Sequence, residues 1–173
     1  QMISIGYSMF EELIREEAAR LKGLAQAPVA DVCVEIPGDS FITPVYVPDV
    51  SERVRIYRSF WRAGSEKDID GWTEYLEDRY GELPEPVRNT VLRARVACLA
   101  RASGMEEVVV SGSSGRLVYG PGAGTSESLP KTARVKVTLE KTGRVILTVG
   151  LKDLSEVEKV GRVLDLMRIV SGG

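Results

Sequence analysis

The chain has 173 residues, enough to bury roughly 70% of its unfolded surface in one domain or one domain with a small appendage. With 43% hydrophobic and 28% charged residues it matches ordinary globular usage, and a formal charge of −2 argues against duplex binding by the whole surface, though a local basic patch stays open. Histidine is absent, which removes Ser-His and Cys-His nucleophile activation, His-based zinc motifs and the side chain best suited to proton transfer near neutrality.

The first residues, Gln1-Met2-Ile3-Ser4-Ile5-Gly6, have no natural start and read as an excised fragment. No cationic region precedes an apolar block and no apolar run reaches eighteen residues, so a soluble, unsecreted chain with no membrane contact is expected. Ser8 and Glu11 have capping-box spacing, and Phe10, Leu13, Ile14, Ala18 and Leu21 then recur at helical intervals, which predicts a helix over 8 to 22 stopped by Gly23. A linker follows, then a β-branched strand Val32-Cys33-Val34-Glu35-Ile36 that ends at Pro37-Gly38.

Asp49 with Glu52 caps a second helix whose apolar face is expected at Val50, Val54, Tyr57 and Trp61, up to Gly64. Ser65 with Asp68 opens a third, lined by Ile69, Trp72, Leu76 and Tyr80 and stopped by Gly81; the two form a helical hairpin. Pro84 and Pro86 suit the first turn of a fourth helix over 85 to 103, with Val87, Val91, Ala94, Cys98 and Ala102 on its inner face.

From 105 the period changes to two. Val108-Val109-Val110 and Leu117-Val118-Tyr119 flank a Gly/Ser turn, and Val135, Val137 and Leu139 alternate with polar residues before Glu140-Lys141-Thr142-Gly143 turns the chain into an antiparallel partner at 144 to 149. Asp153 with Glu156 is expected to cap a closing helix that faces Val157, Val160, Leu164 and Met167 inward. Helices first, strands afterwards and one last helix imply an α+β fold. The expected division is 1–23, 24–104 and 105–173 within one compact domain.

Four groups invite a chemical reading. Gly120-Pro121-Gly122-Ala123-Gly124-Thr125-Ser126 resembles a phosphate cradle but lacks the Lys of a Walker loop and the spacing of a dinucleotide fingerprint, so it reads as an inter-strand loop. Asp70, Glu74, Glu77 and Asp78 form an acidic stripe opposite Trp72 and Leu76; a solvated face is the plain reading, a docking surface for a basic partner the functional one, and metal or acid–base chemistry the least supported. Arg88, Arg93, Arg95 and Arg101 give the fourth helix a basic aspect with no aromatic platform, and together with Arg134, Lys136 and Arg144 they motivate a nucleic-acid-binding alternative. Tyr57, Phe60, Trp61 and Trp72 read as hairpin core. Cys33 and Cys98, not in a paired motif, read as two buried thiols of a reduced cytoplasm.

Three stretches in order carry a resemblance: Gly6-Tyr7-Ser8-Met9-Phe10-Glu11-Glu12-Leu13, Tyr46-Val47-Pro48-Asp49, and Asp78-Arg79-Tyr80-Gly81-Glu82-Leu83-Pro84-Glu85-Pro86-Val87. Over roughly residues 3 to 105 the chain resembles the C-terminal domain of the bacterial transcription-repair coupling factor family, with Pro44-Val45 replacing its usual polar residues. The resemblance implies a regulatory domain that needs no cofactor of its own, within a larger DNA translocase whose motor uses ATP and Mg. It implies an intramolecular partner, the N-terminal repair-homology module, and indirect partners UvrA and RNA polymerase, with DNA met through the parent motor in the bacterial cytoplasm. Asp78 stands at an acidic position of that family, and Tyr75 replaces a second acid one turn earlier.

Overall fold

The structure, a computed structural model, describes residues 32–122 and 135–170. Among them are five strands and four helices, in an α+β arrangement: β1 (Cys33–Glu35), α1 (Val50–Arg62), α2 (Glu66–Tyr80), α3 (Glu85–Ala102), β2 (Met105–Ser111), β3 (Ser114–Tyr119), β4 (Val135–Leu139), β5 (Val145–Gly150) and α4 (Glu156–Val170). The helix expected over 8 to 22, and with it the first of the three resembling stretches, lies outside the described residues. The chain forms two compact units. One is helical, holding α1, α2 and the first part of α3. The other holds β1, the rest of α3, the remaining strands and α4.

The helical unit follows its caps closely. Asp49 accepts from the Glu52 amide at 2.7 Å, so α1 starts where the sequence signal stands. Ser65 and Asp68 close a capping box around the start of α2, the Asp68 amide donating to Ser65 Oγ at 3.3 Å and the Ser65 amide to Asp68 Oδ2 at 2.9 Å. The Ser65 hydroxyl, which donates to Asp68 Oδ2 at 2.9 Å, and then the Ser65 amide hold the Asp68 carboxyl below its ordinary range. Gly81 ends α2 at φ +85°, a backbone that a residue with a Cβ rarely adopts.

The inner face of α1 differs from the expected one. Val54, Ile56 and Phe60 are buried together with Arg53, whereas Val50 is 47% exposed and Tyr57 and Trp61 are only half-buried. Ile56 and Phe60, which carry no polar side-chain atom, take the inner face beside Val54, while half-buried Tyr57 uses its hydroxyl to accept from the Ile42 amide. On α3, Ala102 is exposed, contrary to the expected face, while Val96, Ala97 and Ala100 are buried. Burial here runs around the helix, and a single-stripe reading captures only part of it.

The second unit is a five-stranded sheet in the order β1-β2-β3-β5-β4. All neighbours are antiparallel except β1 and β2, which run parallel with Val34 opposite Val108. The strand grouped with the helices on sequence grounds therefore adds to the sheet. Its alternation buries Val32, Val34 and Ile36 and turns Cys33 outward, so Cys33 is exposed and only Cys98 is a buried thiol. Rows of aligned apolar residues cross the sheet: Val108, Leu117 and Leu147 form one, and Val110, Gly115 and Val149 the next. In the second row Gly115 has no side chain, and Val163 of α4 occupies that space.

The cap of α4 is a correction. Ser155, not Asp153, makes the box: the Glu158 amide donates to Ser155 Oγ at 3.4 Å and the Ser155 amide to Glu158 Oε2 at 2.8 Å. Asp153 instead sits at φ +63°, and Val157 is 65% exposed while Val160, Val163, Leu164, Leu166 and Met167 are buried. Two overlapping box signatures compete here, and the one two residues later lets the helix start after the tight turn. Ser155→Ala should lower stability by about 1 kcal/mol, whereas Asp153→Gly should leave it unchanged or raise it, because Gly relieves the left-handed backbone. Urea denaturation of both variants checks the pair; equal losses would refute this assignment of the cap.

Candidate docking surface

The two resembling stretches that the structure describes meet in space. Tyr46 reaches from the first to the second: its hydroxyl donates to the carbonyls of Leu76 at 3.1 Å and Gly81 at 2.8 Å, and its ring lies 5.6 Å from that of Tyr80. Burial first, and the nearby Glu77 charge second, push the Tyr46 hydroxyl above its ordinary range, so it stays a donor. Val47 and Pro48 offer their carbonyls to the buried Arg53 guanidinium, at 2.7 and 3.0 Å. From the other stretch, Leu83 is buried, Pro84 O accepts the first amides of α3, and Pro86 O accepts from the Phe41 amide at 3.2 Å. The motif residues thus lock the C-terminal end of α2 to the entries of α1 and α3. Tyr46→Phe removes both hydroxyl bonds and should cost about 1–2 kcal/mol in thermal or urea unfolding.

That clamp ties down the C-terminal end of α2. Ile69 and Leu76 are fully buried on its inner side, and Asp70, Glu74, Glu77 and Asp78 are all exposed. Spacings of four and three residues place the four carboxylates on one side of the helix, directed away from Trp72. Among the described residues no three His, Cys, Asp or Glu side chains are grouped to hold a metal ion. The stripe works against the helix that carries it. Like charges four residues apart repel, and Glu77 and Asp78 stand in the last turn, where the helix dipole disfavours anions. On the adjoining side Tyr75 donates to Glu52 at 2.6 Å and packs edge-on against Trp72, 5.4 Å between ring centroids. Tyr75 therefore ties α2 to α1.

The basic candidates of α3 are largely engaged in contacts of their own. Arg88 pairs with Glu82 at 3.6 Å, and Arg93, Arg95 and Arg101 are half-buried and engaged in further contacts. Burial pulls the Arg101 guanidinium below its ordinary range. Of the aromatic group only Phe60 is buried; Tyr57 accepts from the Ile42 amide at 2.6 Å, and Trp72 lies beneath Arg55, 5.1 Å from the ring centroid. Gly120, Pro121 and Gly122 leave β3 in a turn, and Ala123 to Ser126 lie outside the described residues. Sequence reasoning missed Arg53, whose burial no pattern signals, and the row Arg55, Arg58 and Arg62, which its spacing of three and four would have revealed.

A family model for the TRCF domain matches residues 36–129, which include the clamp, α2 and its acidic stripe. The chain belongs to the transcription-repair coupling factor family. It is 30% identical over 158 residues to the transcription-repair-coupling factors of Mycobacterium bovis and Mycobacterium tuberculosis, covering 82% of this chain and 12% of each relative. The Escherichia coli protein of the same name is 28% identical over 112 residues, covering 62% of this chain and 10% of that relative. The chain thus spans about an eighth of the mycobacterial relatives. A crystal structure of the C-terminal domain of transcription-repair coupling factor superposes with a TM-score of 0.64 at 14% identity, covering 83% of this chain and 96% of that one. The fold is that of the family's C-terminal domain.

Proposed function

We propose that this chain is a regulatory interaction domain, which docks through the acidic side of α2 on a basic surface of its own parent protein and holds that protein in a resting state. The exposed carboxylate stripe Asp70, Glu74, Glu77 and Asp78 on a clamped helix carries the reading. A stripe that opposes its own helix, on a helix whose end is tied down by Tyr46, has the properties of a binding surface. By the family resemblance the docking partner is the N-terminal repair-homology module, and what the closed state hides is the surface that recruits UvrA. Translocation on DNA, ATP hydrolysis with Mg and displacement of RNA polymerase belong to the parent motor in a bacterial cytoplasm.

Holding a latch about 99% closed requires about 2.7 kcal/mol, because each tenfold ratio is worth about 1.4 kcal/mol. Exposed ion pairs contribute 0 to about 1 kcal/mol each, so several must act together with the tether that raises the local concentration. Such a latch opens readily when another partner engages the parent.

Titrating this domain with the isolated N-terminal module should give binding that weakens as salt rises. Asp78→Lys should reduce it by up to about fivefold. In the parent, deleting the domain should raise UvrA binding and alter ATP turnover; unchanged values for both would remove the latch. Insensitivity to salt and to Asp78→Lys would remove the acidic stripe as its surface.

A further inference from the structure

The outer side of α1 bears a feature of opposite charge. Arg55, Arg58 and Arg62 recur at intervals of three and four, and with Ser51, Val54 and Ser59 they line a recess of about 210 Å³ on the helical unit. At 1.5 Å rise per residue the three arginines span about 10 Å along the helix. Arg55 is oriented by its lie over Trp72, 5.1 Å from the ring centroid, and by Glu52 at 3.3 Å, yet its side chain remains 61% exposed. Among the described residues neither Arg58 nor Arg62 has a carboxylate within ion-pair distance. Among the described residues no carboxylate lines the recess.

We propose that this row is a contact site for the sugar-phosphate backbone of duplex DNA. Arginine forks with serine hydroxyls are the donor set that phosphate oxygens take, and a straight row of three fits successive phosphates of one strand. Among the described residues the lining holds no aromatic side chain, and the neighbouring Trp72 ring is already engaged by Arg55 and Tyr75, so no free platform is offered on which unpaired bases would stack, and a duplex is favoured over a single strand. Hydrogen bonds to phosphate oxygens carry no base information, so a backbone contact of this kind is independent of sequence. The net charge of −2 does not oppose this, because the acidic stripe and the arginine row occupy different helices. The site is separate from the docking surface on α2, and either can hold without the other.

Fluorescence anisotropy of a labelled mixed-sequence duplex, titrated with the full 173-residue chain across a salt series, tests the site. Three phosphate contacts predict that log K falls against log salt with a slope of about −2.7. Arg58→Gln with Arg62→Gln should shrink that slope by about two, with thermal stability unchanged, whereas Arg88→Gln on α3 and Glu74→Lys on α2 should leave it within about one of the parent value. The proposal fails if the duplex does not bind at low salt, or if the double variant binds as the parent does. It fails equally if a single strand, or a polyglutamate in place of DNA, is preferred over the duplex.

Discussion

Replacing Arg53 by alanine should lower the unfolding free energy by about 3 kcal/mol, with the dependence on urea unchanged. Arg53 is only 8% exposed, and its guanidinium donates to Val47 O at 2.7 Å and Pro48 O at 3.0 Å, the two carbonyls that precede the Asp49 cap. Hydrogen bonds from a charged donor contribute about 1.5–3 kcal/mol, and truncation also strands the buried Val47 carbonyl and removes the packing of the stem. Arg53→Met separates these effects: it refills most of the volume without a donor and should still lose about 2 kcal/mol. Arg53→Lys presents one compact charge in place of a fork and should fall between wild type and Met. A methionine variant within about 0.5 kcal/mol of wild type in urea denaturation would show that the two carbonyl bonds carry little.

The second large effect is expected at Gly115, where general propensity and local packing predict opposite signs. Glycine weakens a strand interior, so alanine would ordinarily stabilise it. In the structure a Cβ at Gly115 would stand 2.8 Å from Val163 Cγ2 and 3.3 Å from Leu151 Cδ1, and both of those residues are fully buried. Valine is stiff at χ1 and cannot swing aside, so Gly115→Ala should cost about 2 kcal/mol and Gly115→Val more. Combining Gly115→Ala with Val163→Ala should recover much of the loss of the first change, because the new methyl fills the space the valine leaves. A stabilised Gly115→Ala variant in thermal unfolding would overturn the close approach of α4 to β3.

The two substitutions act in different units, so their effects also report on whether the units unfold together. If they do, each variant shifts the whole transition; if not, Arg53→Ala lowers the helical transition and Gly115→Ala that of the sheet. The two proposed surfaces lie on α1 and α2 of the helical unit. Variants of the sheet that keep the chain folded should therefore leave the proposed docking surface on α2 intact.

Local chemistry was legible in the sequence wherever neighbouring residues settle it. Asp49, Ser65 and Gly81 mark helix ends through hydrogen bonds and backbone angles confined to a few residues, and the structure places those ends as expected. The α+β class followed from the change of period near residue 105, and the acidic stripe of α2 from its spacing alone. Long-range pairing decided the rest. Nothing local in Cys33–Glu35 announces a parallel partner some seventy residues away, because parallel pairing is chosen by the sheet that forms later in the chain. Nor does periodicity reveal that Arg53 points inward to two carbonyls, that Ser155 outcompetes Asp153 as a cap, or that Tyr46 bridges two motifs thirty-five residues apart. Hydrophobic spacing determines which residues are able to face a core, while the partners available in three dimensions determine which of them do.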